Sequence, residues 1–201
     1  MKTGPGSRPE ANSSAHGRPS ALRAVFLVGF MGAGKSTVGR ALARQMNWPF
    51  EDLDERLQAR EKRSIEQIFR ESGEAEFRRA EHEALRELLA DLDSSPRVVA
   101  LGGGAFVQAQ NAALLAGAAV PVVFLDAPVE ELFRRCQQEP VERPLRRDLE
   151  QFRQLYLGRR PHYLAASLRI ETGGKDVGTV AAEVAEILGL RESGTSQGEV
   201  K

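Results

Sequence analysis

The sequence predicts an α/β fold in which short buried strands alternate with helices, and three observations carry the prediction. The apolar run Ala24-Val25-Phe26-Leu27-Val28 leads through a glycine-rich loop into a segment of helical period, with Val38, Leu42 and Met46 four apart. Further strand candidates, Trp48 to Asp52, Arg97 to Leu101 and Val120 to Asp126, end at carboxylates or glycines, and the carboxyl ends of parallel strands are where open α/β sheets bind ligands. Chain length is the third: 201 residues suit one α/β domain with a substantial core and some tail.

Composition narrows the function classes. Lys plus Arg number 28 against 28 Asp plus Glu, so no bulk charge points to nucleic acid. Cys136 is the only cysteine, which excludes an intrachain disulfide and a cysteine-based zinc site. The longest largely apolar run, Leu114 to Leu125, is broken by Gly117 and Pro121 and falls short of the roughly 18 residues that span a bilayer. Residues 1–21 are rich in Gly, Pro, Ser and Ala and lack the apolar core of a secretory signal. A disordered arm is therefore expected over 1–21, a folded domain over 22–190 and a flexible tail over 191–201. A cytoplasmic monomer without membrane or nucleic-acid partners is expected.

The loop after the first strand, Gly29-Phe30-Met31-Gly32-Ala33-Gly34-Lys35-Ser36, fits the phosphate-binding P-loop pattern. Its glycines let successive N–H groups turn inward as a cradle for phosphate oxygens, and the helix that follows offers its positive end to the same anion. Gly32, Ala33, Gly34, Lys35, Ser36 and Thr37 are the expected contacts to ATP, with Lys35 reaching the β- and γ-phosphates and the Ser36 hydroxyl a ligand for Mg²⁺.

Next in the chain, Asp52-Leu53-Asp54 sets two carboxylates at a strand end. They face one side if the chain is still extended there, Asp52 holding Mg²⁺ through its water shell and Asp54 accepting a substrate hydroxyl. Either could instead cap the helix running on through Leu57. Ser64 and Gln67 match a capping box, and after a break expected at Gly73 a long helix is predicted from Glu74 to Leu92. Arg78 lies near its front, where a cation opposes the helix dipole; spacing alone reads it as an exposed pair with Glu81, three residues on.

Gly102-Gly103-Gly104 directly follows the strand from Arg97 and would let a backbone approach something bound above the sheet. Pro128 opens a helix through Arg135. Residues 137–147 have no clear period and carry Arg143, Arg146 and Arg147 around Pro144, a composition suited to a lid that closes over phosphates or to a charged surface loop. A helix from Asp148 carries Arg159 and Arg160 before Pro161 and Tyr163, then a last strand is predicted over Leu168 to Thr172 and a closing amphipathic helix over Val177 to Leu190.

Taken in order, six of these features resemble the shikimate kinase family: Gly29 to Ser36, Asp52-Leu53-Asp54, the stretch Glu76 to Glu81, Gly102-Gly103-Gly104, Arg143-Pro144-Leu145, and Arg159-Arg160-Pro161-His162-Tyr163. The resemblance covers residues 22–190 and implies a three-layer α/β sandwich, a five-stranded parallel sheet flanked by helices as in nucleoside monophosphate kinases. It implies transfer of the γ-phosphoryl of ATP to the 3-hydroxyl of shikimate, on the route to chorismate and the aromatic amino acids. It further implies Asp54, Arg78, Gly102, Gly103, Gly104 and Arg159 as shikimate contacts, and Ser36 and Asp52 as the Mg²⁺ set. Lys35, Asp54 and Arg143 are then the catalytic candidates, with Arg143 the lid arginine and Arg135 the candidate to stack on adenine. Shikimate is an anion, so Arg78 and Arg159 make sense as a carboxylate clamp.

Other classes fit less well. Gluconate-type kinases follow the aspartate pair with histidine and proline, where this chain has Glu55-Arg56. A GTPase would carry Asn-Lys-any-Asp, and neither Asn12, Asn47 nor Asn111 precedes lysine. A non-catalytic binding module would have lost Lys35, an aspartate or Arg143.

Overall fold

A computed structural model describes residues 22–92, 95–138 and 148–190. The expected arm and tail lie outside these, as does most of the expected lid, with Arg143. Strand β1 (Ala24–Val28) is buried at every position, and so is β4 (Val122–Asp126). Strands buried on both faces need cover on both, which is why they read as unbroken apolar runs rather than alternating ones. With β2 (Phe50–Asp52), β3 (Arg97–Ala100) and β5 (Leu168–Glu171) they form a five-stranded sheet of order β2-β3-β1-β4-β5, parallel throughout.

Among the described residues seven helices flank the sheet: α1 (Lys35–Met46), α2 (Leu53–Glu61), α3 (Ile65–Ala90), α4 (Ala109–Gly117), α5 (Val129–Gln138), α6 (Leu149–Tyr163) and α7 (Val177–Ile187). The three-layer expectation therefore holds, with α1 lying against α7. Leu42 and Met46 of α1 and Val180 and Val184 of α7 are buried, as the four-residue spacing requires.

As expected, Gly73 breaks the helical path, at φ 79° and ψ 176°, so α3 is two helical pieces joined at a kink, the first starting from Ser64, whose capping box with Gln67 is complete. One difference from the sequence expectation has a simple cause: Gln137 and Gln138, expected in the irregular segment, lie in α5. The helix has enough buried packing, through Leu132 and Cys136, to run past Arg135.

Topology makes the crevice. The chain leaves β1 for β2 on one side and leaves β3 for β4 on the other, so the loops after β1 and β3 diverge at the carboxyl edge of the sheet. Register sets Asp52 level with Ala100 and Leu27 level with Ala100, which brings the ends of β1, β2 and β3 to one line.

Candidate active site

Gly34 precedes α1 with φ 84° and supplies no side-chain cap, and the first turn of α1 carries no acid. The helix start therefore keeps its N–H groups for an external anion. Gly32, at φ 78°, is glycine for a second reason: a methyl group there would lie 2.5 Å from the Leu132 carbonyl oxygen and 2.9 Å from Cys136 Sγ. The loop is thus pressed onto α5. Lys35 curls back over it, its Nζ donating to the carbonyls of Gly29 at 2.9 Å and Phe30 at 3.1 Å.

This loop separates two cavities. Gly32, Ala33, Gly34 and Thr37 line one of about 400 Å³, together with Val38, Arg135, Thr172, Lys175, Asp176 and Val180. Lys35 and Ser36 face the other, of about 240 Å³, whose polar lining is Asp52, Asp54, Arg78, Glu81, Gly102 to Gly104 and Arg159. Among the described residues, every expected ATP contact lies in the first cavity or at the boundary, and every expected acceptor contact lies in the second.

Asp52 takes the capping role weighed from sequence and also partners Ser36. It is the N-cap of α2, its Oδ1 accepting from the Asp54 N–H at 3.0 Å, while Oδ2 accepts from the Ser36 hydroxyl at 2.7 Å. Asp54 therefore sits in the first helical turn rather than on an extended strand, yet it still faces the cleft. A carboxylate and a hydroxyl are hard oxygen donors, and one such pair at a phosphate loop suits Mg²⁺, which keeps several waters and takes phosphate oxygens as ligands.

The Arg78–Glu81 pair forms as spaced, with Nη1 donating to Glu81 Oε2 at 3.0 Å, and Nη2 also reaches Glu74 at 3.2 Å. It is not a surface pair, because Glu81 is 1% exposed. Burial pushes the Glu81 carboxyl up to about 7; the Arg78 guanidinium opposes that rise and the neighbouring Asp54 charge adds to it. Gln108 donates to the same carboxylate at 2.5 Å. Gln108 was not singled out from the sequence, and Glu81 was read there as the exposed partner of Arg78. A signal for Glu81 existed: it shares a helix face with Phe77, Ala84, Leu85 and Leu88, all buried.

The glycine run has a further cause that the sequence did not reveal. A methyl at Gly102 would meet Asp54 Oδ1 at 2.5 Å, and one at Gly104 would meet Arg78 Nη1 at 2.6 Å. The loop is bare because the protein's own site groups lie against it. Gly103 has no neighbour closer than 3.8 Å to such a methyl, and its carbonyl accepts from Arg159 Nη1 at 3.4 Å and from the Tyr163 hydroxyl. Burial pushes that hydroxyl up to about 12, so it stays a donor.

Ile65, Phe69, Phe77 and Met31 supply the apolar wall of the same cleft. On the other side, Arg135 donates to Glu131 at 2.7 Å and to the Thr172 carbonyl at 2.8 Å, which holds it at the rim of the larger cavity. Thr172, Lys175 and Asp176 were missed from sequence because they follow the last strand without any motif.

A family model described as shikimate kinase matches residues 31–189. A shikimate kinase of Thermus thermophilus is 42% identical over 82% of this chain and 89% of its own length. One from Caulobacter vibrioides is 40% identical over 87% of this chain and 86% of its own. Among solved structures, shikimate kinase from Acinetobacter baumannii in complex with shikimate superposes with TM-score 0.73 at 34% identity, covering 84% of this chain and 93% of that one. The Aquifex aeolicus shikimate kinase superposes with TM-score 0.72 at 36% identity over 83% and 96%.

Proposed function

The chain belongs to the shikimate kinase family, and from that premise we propose how its residues divide the work. The enzyme is an ATP-dependent phosphotransferase that passes the γ-phosphoryl group of ATP to the 3-hydroxyl of shikimate, giving shikimate 3-phosphate and ADP. One observation carries the assignment of roles: the phosphate loop is a shared wall between a cavity lined by loop backbone and a cavity lined by opposed charges.

In this reading the larger cavity takes ATP, with Gly32, Ala33, Gly34, Lys35, Ser36 and Thr37 at the phosphates and Arg135 beside the base. The smaller takes shikimate, with Arg78 and Arg159 on its carboxylate and Asp54 on the attacking hydroxyl. Gly102, Gly103 and Gly104 shape the floor. Asp54 orients that hydroxyl and accepts its proton as the oxygen attacks phosphorus. Lys35, on the shared wall, neutralises charge on the transferring group. Ser36 and Asp52 would hold Mg²⁺, which supplies further charge neutralisation at the phosphates. Arg143, outside the described residues, keeps the lid role that the family resemblance gives it. A cytoplasmic monomer, without nucleic-acid or membrane partners, fits the balanced charge and the absence, among the described residues, of a helix long and apolar enough to cross a membrane.

The test is ADP release with Mg²⁺-ATP against shikimate, gluconate and nucleoside monophosphates in parallel. Turnover with shikimate alone is expected. Turnover on another acceptor and none on shikimate would overturn the acceptor assignment.

A further inference from the structure

We propose that Asp126 and Arg160 are positioning residues for acceptor binding: their ion pair fixes the rotation of α6 about its axis and so aims Arg159 into the acceptor cleft. The inference rests on the reading of Arg159 as part of the carboxylate clamp.

Asp126 ends β4 and is 2% exposed, yet its carboxylate touches neither cavity. Its partners come from α6 and β5 instead. Tyr156 donates its hydroxyl to Oδ1 at 2.9 Å, and Arg160 Nη2 and Arg169 Nε donate to Oδ2 at 2.8 and 3.0 Å. Arg160 Nε also donates to the Tyr156 hydroxyl at 3.0 Å, closing a triangle. Arg169 in turn pairs with Glu171, so two carboxylates face two guanidinium groups. A buried carboxylate this fully paired resists any movement that would strip a partner from it.

Helical periodicity turns that anchor into an aiming device. Tyr156 and Arg160 are four apart and share one stripe of α6. Arg159 and Tyr163, also four apart, form the adjacent stripe, and both donate to the Gly103 carbonyl at the cleft. Consecutive residues differ by about 100° around a helix, so pinning one stripe to the sheet sets where the next one points. A turn of about 20° at roughly 6 Å from the axis moves a side chain by about 2 Å, and a misplacement of about 1 Å can cost on the order of 10²-fold in rate.

The donor side is tied to Asp126 differently. The Thr172 N–H donates to the Asp126 main-chain carbonyl at 2.7 Å, a bond that survives replacement of the side chain. Steady-state kinetics on the full chain should compare Asp126→Asn, Arg160→Gln, Arg160→Lys and Tyr156→Phe with Arg159→Ala. Expected is a roughly tenfold rise in KM for shikimate in Asp126→Asn and Arg160→Gln, with KM for ATP within about twofold of the parent. Partial recovery is expected in Arg160→Lys, and a smaller rise in Tyr156→Phe, which keeps the ring against Phe30. Should Asp126→Asn not fold, Arg160, whose side chain is 30% exposed, still permits the test. An unchanged shikimate KM in Arg160→Gln beside a raised one in Arg159→Ala would overturn the aiming role alone. KM values for ATP and shikimate rising together would reduce the network to general stability. If Arg159→Ala also left the shikimate KM unchanged, the clamp reading would fall and the inference with it.

Discussion

The larger cavity is lined along one side by a single stretch of chain within Gly32 to Val38, whereas the smaller takes its charges from α1, the end of β2, α2, α3 and α6. The first is held rigid by backbone packed on backbone, Gly32 against the Leu132 carbonyl. The second is held by side chains that already satisfy one another: Arg78 binds Glu74 and Glu81, and Arg159 rests on the Gly103 carbonyl. An arriving nucleotide meets ready donors, while an arriving acid must draw guanidinium groups into new partnerships. Affinity on the acceptor side is therefore a difference between two sets of charge-assisted bonds.

The largest effect that would sharpen this contrast is at the shared wall. Lys35→Met should lower kcat by on the order of 10³-fold with the far-ultraviolet circular dichroism unchanged, since Lys35 contributes charge to transfer rather than to the core. Gly104→Ala comes next. The added methyl would displace the Arg78 guanidinium, the far end of a flexible side chain, so KM for shikimate should rise roughly tenfold while KM for ATP stays unchanged. Equal rises in both would break the separation of the two cavities.

A third effect concerns pH. Glu81 binds its proton more tightly in the folded protein, at about 7, than its ordinary value of 4.5. Across that window the native state keeps a proton the unfolded chain has lost, so this group's contribution to stability is full below about 4.5 and falls as pH rises to about 7. Glu81→Gln should flatten that part of the profile, a change on the order of 1–3 kcal/mol read from urea midpoints at about pH 5 and about pH 8. A profile identical to the parent would mean that Glu81 ionises as freely as a surface acid. The smallest effect is the control: Arg79→Ala removes a neighbour of Arg78 whose side chain is 66% exposed, and should leave both KM values and Tm unchanged.

The same contrast explains what could be read before any fold was known. Strand β1, the loop and α1 are contiguous, so period and glycine spacing sufficed. Asp52 was legible as a residue at a strand end, but its double use as cap and Ser36 partner depends on a contact spanning 16 residues. Glu81 looked like half of a surface pair because its other neighbours, Gln108 and Asp54, belong to other elements. The glycine run was legible as a place of close approach, but nothing near it in sequence reveals that Asp54 and Arg78 lie against it. Thr172 and Lys175 enter the donor pocket only because β5 is the strand next to β4.

Gly73 has a wider consequence. A methyl added there would meet nothing within 4 Å, so its glycine answers to backbone angle alone. The break divides α3 into a front piece carrying Ile65 and Phe69 and a rear piece carrying Phe77, Arg78 and Glu81. On the proposed assignment, the apolar wall from Ile65 and Phe69 and the acid-binding Arg78 stand on separate helical pieces. Exchange of residues 65–72 is therefore expected to change which cyclic acid is admitted while leaving Arg78 in place.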